Sequence, residues 1–219
     1  MTAALSRRLA AEAVGTAALL ATVVGSGIMG DRLSQGNAAI ALLANAIATG
    51  CALYVLISIF APLSGAHFNP LITALEWRAG RLSFTDALAY VAMQCVAAMA
   101  GVALAHLMFD LPAWSLSEHA RSGAAQCLSE FVATFGLVVV IRQGARNAVS
   151  VAALVACYIT AAYWITSSTS FANPAVTLAR ALTDTFSGIR WVDALPFIVA
   201  QIGGACAAWL FLAWLDAHE

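Results

Sequence analysis

Lysine is absent from this 219-residue chain, so all ten basic side chains are arginines, and charged residues of both signs make up only 10% of it. With a net charge of -1 there is no basic surface for nucleic acid or for an acidic partner. Cysteine is sparse. Cys51, Cys95, Cys127, Cys157 and Cys206 stand singly in apolar runs, with no CxxC pair and no Cys/His cluster, and read as buried free thiols. His106, His119 and His218 also lack ligand-like neighbours, so neither a metal site nor a cofactor is expected. There is no nucleophile with a base and no phosphate loop, which excludes an enzyme reading.

What the chain does have is apolar length: 62% hydrophobic residues and a mean hydropathy of +0.87. A spanning helix needs roughly 20 mostly apolar residues. The pattern predicts an all-α membrane protein of six transmembrane helices and two short re-entrant helices, in one channel-like domain over residues 1–219. The predicted spans are about 9–28, 38–60, 84–108, 124–141, 149–165 and 195–215. Arg7 and Arg8 precede the first span, but Glu12 interrupts its apolar run and no clear cleavage site follows, so a retained span is expected rather than a signal peptide.

Two stretches break the apolar pattern. In each, a polar or glycine-containing run leads to Asn-Pro and then a short apolar segment: Ser64-Gly65-Ala66-His67-Phe68-Asn69-Pro70-Leu71 and Ser167-Ser168-Thr169-Ser170-Phe171-Ala172-Asn173-Pro174-Ala175. Asn is a good N-cap, and Pro suits the first helical position because it has no N–H to leave unpaired. Both segments therefore read as helices starting at Asn-Pro and too short to cross a bilayer. Other landmarks repeat with them: Glu12 with Glu130, and Gln94 with Gln201. Three spans per half make the repeat inverted, over about 1–110 and about 120–219, and a broken segment at matching places points to a site near the midplane. Irregular backbone at that depth needs a wet cavity or burial in protein, so the runs before Asn69 and Asn173 are expected to line a pore with carbonyls. Both Asn amides and both helix N-termini would then favour a neutral hydrogen-bonding solute and oppose cations.

Arg7, Arg8, Arg78, Arg81, Arg142 and Arg146 fall on one predicted side, and Arg32, Arg121, Arg180 and Arg190 on the other. The excess of arginine makes both termini cytoplasmic. Trp114, Trp164, Trp191, Trp209 and Trp214 near the span ends read as interfacial residues, and Gly15, Gly203 and Gly204 as points of close helix packing.

The paired motifs, with Glu12/Glu130 and Gln94/Gln201 in matching halves, resemble the aquaporin and aquaglyceroporin (major intrinsic protein) family over essentially the whole chain. The resemblance implies a passive channel in a bacterial inner membrane, a homotetramer with one pore per subunit, and membrane lipids and a small neutral solute as partners. Two positions depart from the family pattern. Leu71 replaces the usual Ala of the first motif, and Val176 stands where the family carries its filter arginine. Carrying over the other filter positions gives a ring of Thr49, Ala161, Ser170 and Val176, with neither an aromatic nor an arginine. Such an open ring implies water, glycerol-like polyols and arsenite or methylated arsenicals as cargo. Arg180, seven residues beyond Asn173, either enters the vestibule or reaches the membrane interface. His67 either lines the opposite mouth as a pH-responsive group or packs against its loop. The resemblance assigns Glu12 and Glu130 to hydrogen-bonding the re-entrant backbone, with Gln94 and Gln201 as braces. The alternatives are a water-selective pore and a secondary transporter using Glu12 and Glu130 as titrating groups.

Overall fold

Asparagine, serine and proline decide where helices begin in this chain. The Asn37 side chain accepts from the Ala39 and Ile40 amides at 3.1 and 3.3 Å, and the Ser83 hydroxyl accepts from Asp86 N at 3.0 Å. Asn69 and Asn173 do the same one residue before Pro70 and Pro174. Each cap satisfies amides that the first helical turn leaves unpaired.

The computed structural model describes residues 3–146 and 149–217, so His218 lies outside the described residues. Eight helices, and no strand among the described residues, follow in order: α1 (Leu5–Leu33), α2 (Ala38–Ser64), α3 (Pro70–Arg78), α4 (Phe84–Met108), α5 (Ala124–Gly144), α6 (Val151–Ile165), α7 (Pro174–Arg180) and α8 (Trp191–Asp216). Helices α1, α2, α4, α5 and α8 are long and apolar enough to cross a membrane. Helix α6, the remaining one of the six expected spans, is apolar but shorter. It has 15 residues, about 22 Å at ~1.5 Å per residue, against a hydrocarbon core of about 30 Å. The serine- and threonine-rich run ends it: Thr166 turns extended, and its hydroxyl bonds back to the Ala162 carbonyl at 2.6 Å. Such side chains offer the backbone a partner other than the helix ladder.

Helix α1 packs against α2 and α4, and α5 against α6 and α8, while α2 meets α6 across the middle. The interior is unusually polar. Glu12, Thr16, Gln94, Glu130, Thr134 and Gln201 are fully buried, while Leu43, Ile59, Val96, Val132, Val199 and Leu210 face outward. That reversal suits a solvent of lipid tails. The five cysteines are free as expected but not buried: Cys51, Cys157 and Cys206 are exposed, and Cys95 and Cys127 half-buried. They belong to the apolar outer surface, where a thiol is no more costly than a methyl group. Trp114, Trp164, Trp191 and Trp214 are exposed, whereas Trp209 is half-buried with the Arg78 and Arg142 guanidinium groups each 5.8 Å from its ring centroid.

Glycine sets the closest approaches. A Cβ on Gly101 of α4 would lie 2.3 Å from the Ala17 carbonyl oxygen of α1, and one on Gly204 of α8 would lie 2.3 Å from the Phe131 carbonyl oxygen of α5. Neither backbone can yield without separating a helix pair. Gly101→Val and Gly204→Val are each expected to cost about 1–3 kcal/mol by overpacking, read as a lowered melting temperature of the detergent-solubilised protein.

Candidate functional site

The two broken runs, residues 65–69 and 166–173, meet between the halves. Their non-glycine residues Ala66, Phe68, Thr169, Ser170 and Ala172 all have φ between 48° and 63°. Left-handed backbone costs such residues of order 1 kcal/mol or more each, so something must hold it. Two carboxylates do.

Glu12 on α1 accepts from the His67 and Phe68 amides at 2.9 and 2.8 Å, from the Ser64 hydroxyl at 2.7 Å and from Gln94 Nε2 at 2.8 Å. Glu130 on α5 accepts from the Phe171 and Ala172 amides, both at 2.9 Å, and from the Ser168 hydroxyl and Gln201 Nε2, both at 2.6 Å. Gln94 and Gln201 also donate to Thr73 and Thr177, at 3.0 and 2.9 Å, and so tie each carboxylate to a short helix. Serine five residues before each Asn and threonine four residues after it are a repeat in the sequence that would have revealed these partners. Both Ser hydroxyls accept in turn from an amide two residues on, Ala66 N at 3.0 Å and Ser170 N at 3.2 Å.

The short helices are joined at their starts. Asn69 Nδ2 donates to the Ala172 carbonyl at 2.8 Å, and Asn173 Nδ2 to the Phe68 carbonyl at 2.7 Å. Each Oδ1 meanwhile caps its own helix, accepting from Leu71 N at 2.9 Å and from Ala175 N at 3.0 Å. A primary amide has two N–H groups, so each Asn keeps one for a solute.

A cavity of about 120 Å³ runs past this junction, and both Asn residues line it. Its wall follows α2 through Thr49, Leu53 and Ile57 and α6 through Val151, Val155, Ile159 and Tyr163. The α6 stretch spans about 18 Å at ~1.5 Å per residue. No Asp or Glu is in the lining. At one end Gly65 and His67 are shared with a second cavity of about 410 Å³ reached by Arg8, Glu76 and Arg81. His67 Nδ1 lies 3.0 Å from Thr73 Oγ1, and the ring packs 5.2 Å from that of Tyr90, so it both lines the mouth and braces its loop.

At the other end Thr49, Ser170 and Val176 line the cavity, but Ala161 does not. Ala161 is exposed on the outer face of α6. Inward positions on α6 recur every fourth residue, and Ala161 lies midway between Ile159 and Tyr163, about 200° around the helix from each. Tyr163 takes the inner place, and its hydroxyl shares a 3.2 Å hydrogen bond with Thr49 Oγ1. Leu71 also turns away, packing with Ile72, Val138, Ala205 and Leu212 instead of filling the cavity.

Arg180 does not reach for an interface. It is 2% exposed, lines the cavity, and its guanidinium carbon lies 3.4 Å from the Phe171 ring centroid. Its Nε donates to the Ser187 carbonyl. Of the expected ring, Thr49, Ser170 and Val176 line this end of the cavity, and Tyr163 and Arg180 line it with them where Ala161 does not. The spacing carried over from the family missed Tyr163, which belongs to another helix, whereas Arg180 takes the vestibule alternative that its spacing from Asn173 offered, drawn in by a ring two residues before the motif.

Arg121, in the connection before α5, stands behind this end. Its Nε, Nη1 and Nη2 donate to the carbonyls of Gly188, Ser168 and Phe186 at 2.7, 3.3 and 3.2 Å, and its amide to Asp193 at 2.9 Å. Burial lowers its pKa to about 10, so it stays protonated at neutral pH.

The sequence profile of the major intrinsic protein family matches residues 1–147 and 142–218. The aquaglyceroporin AqpS of Rhizobium meliloti is 55% identical over 212 residues, covering 96% of this chain and 91% of that protein. A probable TIP-type aquaporin of Medicago truncatula is 30% identical, with 95% and 88% covered. Among solved structures, the aquaglyceroporin of Plasmodium falciparum superposes with a TM-score of 0.70 at 18% identity, covering 95% of this chain and 96% of that one.

Glu12→Gln and Glu130→Gln each replace charge-assisted bonds worth about 1.5–3 kcal/mol apiece with an amide that presents hydrogens to some of the same donors. Hydrogen–deuterium exchange mass spectrometry should show faster uptake in residues 65–69 for the first and 166–173 for the second. Unchanged uptake in both would refute the role given to the carboxylates.

Proposed function

The chain belongs to the major intrinsic protein family, and on that footing we propose that it is a passive channel for water and glycerol-like polyols. The observation that carries this reading is the cavity past the paired Asn69 and Asn173, long, mostly apolar and free of acidic side chains. A polyol or water needs hydrogen-bonding groups at intervals along an otherwise apolar wall, and the spare Asn amide hydrogens supply them where the wall turns polar. Arsenite and methylated arsenicals are further candidate cargo, being compact, hydroxyl-bearing and uncharged near neutral pH in the case of arsenite.

Glu12 and Glu130 speak against coupled transport. Each carboxylate is fully buried and spends its oxygens on backbone, serine and glutamine donors away from the cavity. A coupling group must change its protonation or its ligand during the cycle, and these hold the fold together. The narrower reading, a water-selective pore, draws support from Tyr163 and Arg180, which make one end more polar than a ring of Thr49, Ala161, Ser170 and Val176 would be.

We read the two halves as inverted repeats, on the strength of their matching carboxylate and Asn hydrogen bonds, and place both termini in the cytoplasm of a bacterium. In that orientation Arg180 stands at the outer mouth and His67 at the inner. The homotetramer implied by family likeness is part of the same proposal.

Stopped-flow light scattering on proteoliposomes given a glycerol gradient tests the reading. Fast shrinkage followed by fast re-swelling is expected, and shrinkage alone would favour the water-selective pore. If neither phase exceeds that of empty liposomes, the channel reading falls. Val176→Arg should slow re-swelling more than shrinkage, because it adds a long cation beside Arg180, whereas Ala161→Leu on the outer face should leave both phases unchanged.

A further inference from the structure

A cation buried without a counter-charge is expensive unless a partner supplies what solvent would have given. Arg180 has such a deficit. It is 2% exposed, no carboxylate pairs with it among the described residues, and the hydrogen bond from Nε to Ser187 is the one its guanidinium makes there. Stacking on Phe171 offsets part of the cost. Its two terminal nitrogens have no hydrogen-bond acceptor among the described residues. Nearby charges do not fill the gap: Glu130 is taken up by Ser168, Phe171, Ala172 and Gln201, and Asp193 pairs with Arg190 and the Arg121 amide. Arg121 adds a second positive charge against the same ring, at 5.2 Å.

A second vacancy lies in the same wall. Ser170 is 4% exposed and lines the cavity, and its hydroxyl has no hydrogen-bond partner. Arg180 and the unpartnered Ser170 hydroxyl therefore belong to the wall of one narrow space, whose lining also includes Val176 and the hydrogen-bonded Thr49–Tyr163 pair.

We propose that this end of the cavity is a binding subsite for a short monocarboxylate, with Arg180 as its specificity-determining residue and Ser170 as a second donor. The class follows from geometry. With Nε engaged by Ser187, the free edge of the guanidinium is the one carrying both terminal nitrogens, a planar fork that matches two oxygens on one carbon. A cavity of about 120 Å³ in all leaves room for only a few heavy atoms. The anion completes the pairing that the protein leaves open, and while bound it stands in the path of neutral solutes. The inference deepens the channel reading and rests on it for that last consequence alone; the binding itself does not require flux.

Acetate is the probe. Saturation-transfer NMR on its methyl protons, with the full chain in detergent micelles, reads binding directly, and glycerol re-swelling of proteoliposomes is measured in parallel with and without acetate. The native protein should bind acetate saturably, and acetate should slow re-swelling over the same concentration range. Arg180→Gln should weaken binding at least about tenfold and Ser170→Ala by a smaller factor, in line with hydrogen bonds to a charged group. Arg180→Lys, which keeps the charge without the fork and is the fallback if Arg180→Gln does not fold, should fall between. Equal binding by native protein and either Arg180 variant, or no saturable signal from folded native protein, would overturn the subsite. Glycerol flux without acetate binding would sink the subsite and leave the channel reading standing. Arg180-dependent acetate binding without glycerol flux would do the reverse.

Discussion

Two carboxylates buried in the middle of the molecule are the condition for everything around them. Interrupting a helix inside an apolar environment strips backbone amides of their partners, and each unpaired group costs several kcal/mol there. Glu12 and Glu130 gather those amides, two apiece, and add a serine and a glutamine. Because the acceptors sit on α1 and α5, the irregular runs are tied to long helices instead of to one another alone. Residues held at positive φ can then persist, and the crossed Asn bonds close the junction.

Spending the carboxylates on structure determines the character of the cavity. Acids that would make it a cation path are turned into the backbone, so the lining carries no negative charge, while the guanidinium at one end is left open. Charge near the cavity is thus governed by arginine, and by one that reaches it from the end of α7 instead of from the position just after the motif.

The halves match in their carboxylate cradles and differ in what surrounds them. Thr177 Oγ1 donates back to the Asn173 carbonyl at 2.8 Å, closing its helix on itself. Its counterpart Thr73 instead lies within 3.0 Å of His67. One mouth is accordingly shaped by an imidazole, a tyrosine and two arginine–carboxylate pairs, Arg8–Asp86 and Arg81–Glu76. The other is shaped by stacked guanidinium and phenyl groups with an arginine behind them.

Local chemistry was legible in the sequence wherever short-range rules apply. Apolar length predicted the long helices, with 84–108 matching to the residue, and Asn-Pro predicted where α3 and α7 start, because capping is decided within one turn. The pairing of Glu12 with Glu130 and of Gln94 with Gln201 showed in the repeat, and their tie to the re-entrant runs followed from family likeness. Which face of α6 turns inward was not legible, since an apolar helix gives no periodic signal when lipid and cavity both accept the same side chains; Ala161 and Tyr163 exchanged places for that reason. Nor could linear spacing show that Arg180 would be drawn onto Phe171 and left without an anion. The sequence by itself determined the helices, their breaks and the polar groups that must be buried. Only tertiary structure decided which side chains face the cavity, because that depends on how helices rotate against partners distant in the chain.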